Sequence, residues 1–354
     1  MTSLDDVQAV RELDPSDMLG AVAGLPADCR VAYEAAVGRD DLPSADRLTS
    51  LTVCGMGGSA VAGDVLRSIF RGRLGLPVDV NRSPELPASC GPHTLVVASS
   101  CSGNTAETLA AFHEALARGC RLLAITSGGV LEAEATAAGV PVVSVPSGMM
   151  PRAALGHLAF SLLGALEAVG LLPRLGDDVH ETLDVLQELG TSLGVDVVEP
   201  NNLAKRTATW IGDRIPVIWG AEGIGAVAAM RWKTQLNENG KIPAWWASMS
   251  ELDHNEVVGW TVPYGRQHVV IALRHEGEHP EIGPRLPLSL DIARAAGADA
   301  IEVGAAGRSA LARLMGLILI GDYTSVYVAL RRDLDPTPVL AIDQLKSALA
   351  GGGR

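Results

Sequence analysis

Positive charge is scarce in this chain. Its 354 residues carry 28 Lys and Arg against 41 Asp and Glu, a formal net charge of −13. So acidic a surface repels nucleic acid and anionic membrane, and neither is expected as a partner. The five cysteines, Cys29, Cys54, Cys90, Cys101 and Cys120, are scattered with no C-x-x-C pair. They offer no disulfide framework and no zinc site. The most apolar late stretch, residues 314–320, is far too short by itself to span a bilayer, and no membrane span is expected. The opening Met1-Thr-Ser-Leu-Asp-Asp6 lacks the basic and apolar regions of a signal peptide, and a cytoplasmic protein is expected. What the chain does have is 47% hydrophobic residues and 39 glycines, a composition that suits a well-buried α/β protein. Its length favours two domains over one.

Residues 51–64 are the point around which the rest is arranged. Leu51-Thr-Val53 reads as the end of a buried parallel strand, a turn through Gly55, Gly57 and Gly58 follows, and Ala60-Val-Ala62 opens a helix. A helix start reached through glycines makes an anion site, because its N–H groups lack partners and the macrodipole is positive there. Ser59 adds a hydroxyl in the first turn. Alone, the pattern fits an ordinary strand-to-helix turn or a dinucleotide fingerprint equally well. A second strand, Thr94-Leu-Val-Val-Ala-Ser99, runs into Ser100-Cys-Ser-Gly-Asn-Thr105 and then a helix from Glu107. Two hydroxyl-rich turns of this kind can converge at the carboxyl ends of one parallel sheet, where open α/β folds bind ligands. Neither loop holds a Lys or Arg, so the ligand implied is a phosphate monoester gripped by N–H and O–H donors.

Helical spacing over residues 1–45 predicts a lead-in, with Asp14-Pro-Ser-Asp17 as a cap before Met18. Residues 46–175 alternate strand and helix, with strands expected at 51–53, 77–80, 95–99, 121–126 and 140–145. Residues 176–350 form a second alternating domain, with helices expected at 179–193 and 308–331, strands at 267–273 and 300–303, and a last helix at 341–350. The fold class is α/β, two doubly wound parallel-sheet domains with helical N- and C-terminal extensions. Ile215-Pro-Val-Ile-Trp-Gly-Ala-Glu-Gly-Ile-Gly-Ala repeats the first motif. Setting Gly220 on Gly55 places Gly223 on Gly58 and Ile224 on Ser59, which reads as a duplication whose second copy has lost the hydroxyl.

Two further residues could carry chemistry. Glu238 falls at the end of a helix stopped by Asn239-Gly240, where the dipole is negative and a carboxylate is electrostatically misplaced. That placement suits a proton acceptor better than a stabilising residue, although a solvated helix-end Glu would look the same. His254 follows within a segment without clean periodicity, bracketed by Glu251, Asp253 and Glu256, and could shuttle protons or simply occupy a surface loop.

Taken in order, Gly55-Met-Gly-Gly-Ser59, Ser100-Cys-Ser-Gly-Asn-Thr105, Asn237-Glu-Asn-Gly-Lys-Ile-Pro-Ala244, Glu251-Leu-Asp-His-Asn-Glu256 and Asp335-Pro-Thr-Pro338 resemble the bifunctional phosphoglucose/phosphomannose isomerases of the sugar isomerase (SIS) superfamily. The resemblance runs from about residue 50 to Lys346. It implies two SIS domains, a homodimer with active sites at its interface, and interconversion of glucose 6-phosphate and mannose 6-phosphate with fructose 6-phosphate through a cis-enediol, without cofactor or metal. By motif match, Gly58, Ser59, Ser100, Ser102 and Thr105 would hold the phosphate. Glu238 would be the base between C1 and C2, and His254, reaching over from the neighbouring subunit, would assist ring opening. Arg152 would steady the enediolate, Lys346 would lie near the ring oxygen, and Thr337 could face C2. Cys101 departs from the aromatic common at its position and Gly240 from a serine, neither of which removes a group the chemistry needs. The alternatives are a non-catalytic SIS-domain sensor and an isomerase of another sugar phosphate.

Overall fold

The computed structural model describes residues 2–260 and 265–351. The lead-in is helical, with α1 (Val7–Leu13), α2 (Met18–Ala23) and α3 (Leu25–Val37). The turn before α2 caps it as expected. Asp14 accepts the N–H groups of Met18 and Leu19, each at 2.8 Å, and Asp17 accepts that of Gly20. Pro26 sits in the first turn of α3, where a missing N–H does no harm.

Alternation then yields β1 (Ser50–Cys54), α4 (Gly58–Phe70), β2 (Val78–Asn81), β3 (Thr94–Ser100), α5 (Ala106–Ala117), β4 (Arg121–Thr126), α6 (Gly129–Ala137) and β5 (Val142–Ser144). The five strands run parallel in the order β2-β1-β3-β4-β5. Every residue of β3 is buried. Helices cover both faces of such a sheet, which is why its sequence is an unbroken apolar and small-residue run.

Three helices, α7 (Leu155–Ala168), α8 (Gly176–Leu193) and α9 (Leu203–Ile211), lead to the second sheet. It is built from β6 (Ile215–Ala221), α10 (Ile224–Glu238), β7 (Trp245–Met249), α11 (Glu256–Gly259), β8 (His268–Arg274), α12 (Arg285–Ala295) and β9 (Asp299–Gly304). Its parallel order, β7-β6-β8-β9, repeats that of the first sheet without the fifth strand. In each sheet the chain order reverses beside the opening strand, so crevices lie between β1 and β3 and between β6 and β8. Helices α13 (Ala310–Arg331) and α14 (Leu340–Gly351) follow. The former is long and apolar enough to cross a membrane, but it is 94% buried inside the protein and is a core helix. One apolar cluster joins it to α4, α7, α8 and α10 and to the inner faces of β1 and β6.

Two details differ from the sequence reading. Strand β7 was not expected, because Trp245-Trp-Ala-Ser-Met249 is a half-exposed edge strand that lies directly behind Pro243. The repeated motif is also out of register by one residue at its helix. Gly57 and Gly223 are the equivalent residues before α4 and α10, with φ of 51° and 91°. The second turn has one more residue between its strand-end glycine and that position. A Cβ on Gly55 would stand 3.0 Å from Ser59 Cβ, and one on Gly220 would stand 2.2 Å from the Gly225 carbonyl carbon. Gly225, not Ile224, is therefore the counterpart of Ser59, and the hydroxyl is missing from the second copy in either register.

Candidate functional site

The β1–α4 turn is made possible by Gly57, whose φ of 51° and ψ of −127° suit glycine alone. It delivers α4 with no side-chain cap at its N-terminus, and α5 begins uncapped as well. Ser59 is buried one residue into α4, and its Oγ accepts the Cys101 N–H at 3.4 Å. That bond ties the two sequence-predicted loops together across the crevice between β1 and β3. Inside the second loop the Ser100 and Thr105 hydroxyls lie 2.9 Å apart, and Gly103 N–H donates to Ser100 Oγ. Ser102 is exposed, and its hydroxyl accepts the Asn104 N–H. Gly103 is required where it stands, since a Cβ would be 1.8 Å from the Gly128 carbonyl oxygen. Cys101 carries no chemistry of its own: burial raises its thiol pKa, and its carbonyl is pinned by the Ser127 hydroxyl at 2.5 Å.

Gly58 connects this turn to the next group of residues. A side chain there would place its Cβ 2.9 Å from the Pro151 carbonyl oxygen, so the backbone before Arg152 lies directly on the start of α4. Arg152 is buried and heavily engaged. Its Nε donates to Asn239 Oδ1 at 2.5 Å, and its Nη2 donates to the carbonyls of Pro336 and Thr337 at 3.1 and 2.6 Å. Burial pulls the guanidinium pKa below its ordinary value, with Arg231 nearby adding to the effect and Glu238 and Asp335 opposing it. It remains a cation, as arginine does in proteins. Asn239 is fully buried and passes the contact on, its Nδ2 donating to Ser325 Oγ at 3.0 Å. The Arg152 carbonyl accepts from Arg231 Nη2 at 2.6 Å, and Arg231 forms a two-pronged buried pair with Asp322.

Glu238 is the last residue of α10, as its Asn-Gly stop implies, and is half-buried. With Asn237, Lys241, Asp335 and Pro338 it lines a cavity of about 510 Å³. The fold thus brings Ser59, Ser100, Thr105, Gly58, Arg152 and Glu238 into one continuous chain of contacts. A separate cavity of about 480 Å³ between α4 and α10 is lined by none of the sequence-predicted residues.

His254 and Lys346 stand apart. His254 is exposed in the short 3₁₀ turn Glu251–His254, and its imidazole makes no hydrogen bond or ion pair among the described residues. Lys346 is exposed on α14, whose residues 340–349 are all exposed, and it too has no partner among the described residues. Thr337 carries a buried Oγ1 without a hydrogen-bond partner. No group of three or more His, Cys, Asp and Glu side chains with metal-binding spacing occurs among the described residues.

Reading the sequence missed four members of this network. Asn239 was read only as part of a helix stop, and Lys241 sat inside a quoted motif with no role attached. Arg231 and Asp322, 91 residues apart, gave no local signal.

Residues 200–349 match the model of the bacterial phospho-glucose isomerase C-terminal SIS domain. A bifunctional phosphoglucose/phosphomannose isomerase of Caldicellulosiruptor bescii is 39% identical over 338 residues, covering 94% of this chain and 99% of that one. One from Thermoplasma acidophilum is 33% identical over 302 residues, covering 85% and 90%. Among solved structures, a protein of Thermus thermophilus superposes with a TM-score of 0.73 at 18% identity, over 98% of this chain and 94% of that one, which is a likeness of fold. With identity running through both halves and nearly the full length of such relatives, the chain belongs to the bifunctional phosphoglucose/phosphomannose isomerase family.

Proposed function

We propose that the protein interconverts glucose 6-phosphate and mannose 6-phosphate with fructose 6-phosphate by proton transfer between C1 and C2, working in the cytoplasm as a homodimer. The observation that carries the site assignment is the course of residues 151–152. Their backbone rests on Gly58 at the phosphate turn, while the Arg152 side chain bonds Asn239, the neighbour of Glu238. That course supports reading Arg152 as an oxyanion stabiliser set between a phosphate grip and a base.

In this reading Gly58, Ser59, Ser100, Ser102, Thr105 and the positive end of the α4 dipole hold the phosphate. Glu238 takes the proton from C2 of the open aldose, and the electron pair passes into the cis-enediolate. Arg152 stabilises the charge on that intermediate. The carboxylic acid then returns its proton to C1, and a hydroxyl proton moves from O2 to O1, giving the ketose. Protonation back at C2 from either face gives the glucose or the mannose isomer. His254 opens the ring. Its exposure, without a partner among the described residues, supports a place in the site of a second copy.

The test is a coupled assay of Glu238→Gln on all three sugar phosphates. A lone general base contributes on the order of 10²–10⁴-fold, so turnover should fall by at least that while binding persists. Near-parental turnover would show the base to be another residue. Mixing Glu238→Gln with His254→Ala subunits extends the test. If each site draws its two groups from different chains, half of the dimers are mixed and one of their two sites is intact, restoring on the order of a quarter of parental activity. Failure to restore any would place both groups in one chain.

A further inference from the structure

We propose that Lys241 is a positioning residue for the isomerisation, an ammonium clamp holding the end of α10, the Arg152 guanidinium and the 335–338 segment as one wall of the site. The inference rests on the reading of Glu238 as the base. Lys241 Nζ donates to three carbonyl oxygens, those of Glu238 at 2.5 Å, Pro336 at 2.8 Å and Pro338 at 2.6 Å. An ammonium has three protons to donate. All are taken by backbone, and none is left for substrate.

The local chain is shaped to make this happen. Lys241 has a φ of 55°, a left-handed conformation that disfavours any side chain beyond glycine and is kept only where the surroundings enforce it. It follows Gly240, where a Cβ would lie 2.7 Å from the Leu236 carbonyl oxygen, so the chain reverses tightly enough to send Nζ back onto the helix it has just left. The last carbonyls of a helix lack intrahelical partners and present the negative end of its dipole, which a cation satisfies. Pro336 O receives two cationic donors, Arg152 Nη2 from the first half of the chain and Lys241 Nζ from the second. Pro336 and Pro338 have no N–H of their own and cannot pair as a strand or helix would. The two cations hold them instead. Leu340 begins α14 two residues later, so the same clamp sets where that exposed helix leaves the body.

Positioning of this kind matters to proton transfer, for a displacement of about 1 Å at the reacting groups can cost about 10²-fold. The measurement is steady-state kinetics of Lys241→Met on fructose 6-phosphate, beside thermal unfolding by circular dichroism. Turnover should drop on the order of 10²-fold while KM stays within about threefold, because the phosphate loops are untouched. Should the Met variant be insoluble, Lys241→Gln, with two amide protons for three carbonyls, is expected to give the same split. Parental kcat with either folded variant would overturn the clamp. So would a raised KM at unchanged kcat, which would mean that Lys241 binds substrate directly. Glu238→Gln run in parallel separates the two readings: an active Glu238→Gln refutes the base, whereas an inactive one beside a fully active Lys241→Met refutes only the clamp.

Discussion

The Arg231–Asp322 pair lies behind the site, between α10 and α13, and Asp322→Asn is the substitution that isolates its contribution. The two side chains are 2% and 7% exposed and are joined by Nε–Oδ1 at 3.0 Å and Nη2–Oδ2 at 2.8 Å. Burial pushes the Asp322 carboxyl pKa upward, and the neighbouring Arg231 charge is the main influence pulling it back. At an effective dielectric of about 20, two charges about 4 Å apart attract by about 4 kcal/mol. Breaking a buried pair by removing one partner costs about 3–5 kcal/mol, because the other charge is left stranded. The two estimates agree. Asn keeps the shape, so the loss measures the charge and not a cavity. Urea unfolding followed by circular dichroism should show Asp322→Asn less stable by about 3–5 kcal/mol. Arg231→Met combined with Asp322→Leu should recover most of that, since an apolar pair of similar volume replaces a buried ion pair at little cost. A loss below about 1 kcal/mol, the level of a surface pair, would refute the argument. A double variant as damaged as the single one would refute it too, by tracing the loss to packing. Because Arg231 also holds the Arg152 carbonyl, turnover should fall along with stability.

Two further outcomes are open to direct measurement. Ser59→Ala and Thr105→Ala each remove one hydroxyl of the proposed phosphate grip, worth about 1 kcal/mol or somewhat more against a charged oxygen, so KM should rise about tenfold with kcat little changed; unchanged KM in both would move the phosphate elsewhere. Glu181 accepts the N–H groups of Arg308 and Ser309 at the start of α13, and although burial works to raise its pKa, these hydrogen bonds leave it below its ordinary value. A carboxylate depressed in the folded state contributes stability above its unfolded pKa of about 4.3 and loses it as pH falls through the folded value. Melting temperature should therefore drop with acid below about pH 4, less steeply in Glu181→Gln, and an identical slope in the two proteins would trace the acid sensitivity to other groups.

The buried parallel strands were easy to read because burial on both faces leaves an uninterrupted apolar signature, as in Leu122-Leu-Ala-Ile125 of β4. Strand β7 lacked that signature because it lies at the sheet edge with Trp245 and Trp246 exposed. The candidate site was legible wherever its features are local: two hydroxyl loops, and a carboxylate just before a helix stop. It was not legible where the chain makes its geometry from distant pieces. Lys241 reaches carbonyls 95 and 97 residues away, and carbonyls leave no trace in side-chain identity. The one-residue offset between the two turns was hidden for a related reason, since glycine spacing alone cannot say which glycine precedes the helix.

The repeated strand–turn–helix unit serves opposite ends of its two copies. In the first, the start of α4 meets the hydroxyl-rich 100–105 loop; in the second, the end of α10 carries Glu238. A sugar phosphate held as proposed would lie along a gradient of potential, its anionic group at a positive pole and the carbon losing a proton near a negative one. That second pole favours the carboxylate's capture of a proton but opposes the negative charge that then builds on the sugar oxygen. A helix end alone would help one half of the reaction and hinder the other. Two cations, Arg152 and Lys241, stand at that pole, and both bond the backbone around it. On the proposed site the two strand–turn–helix units divide the work by polarity, and the second needs no hydroxyl at its start because it works from its other end.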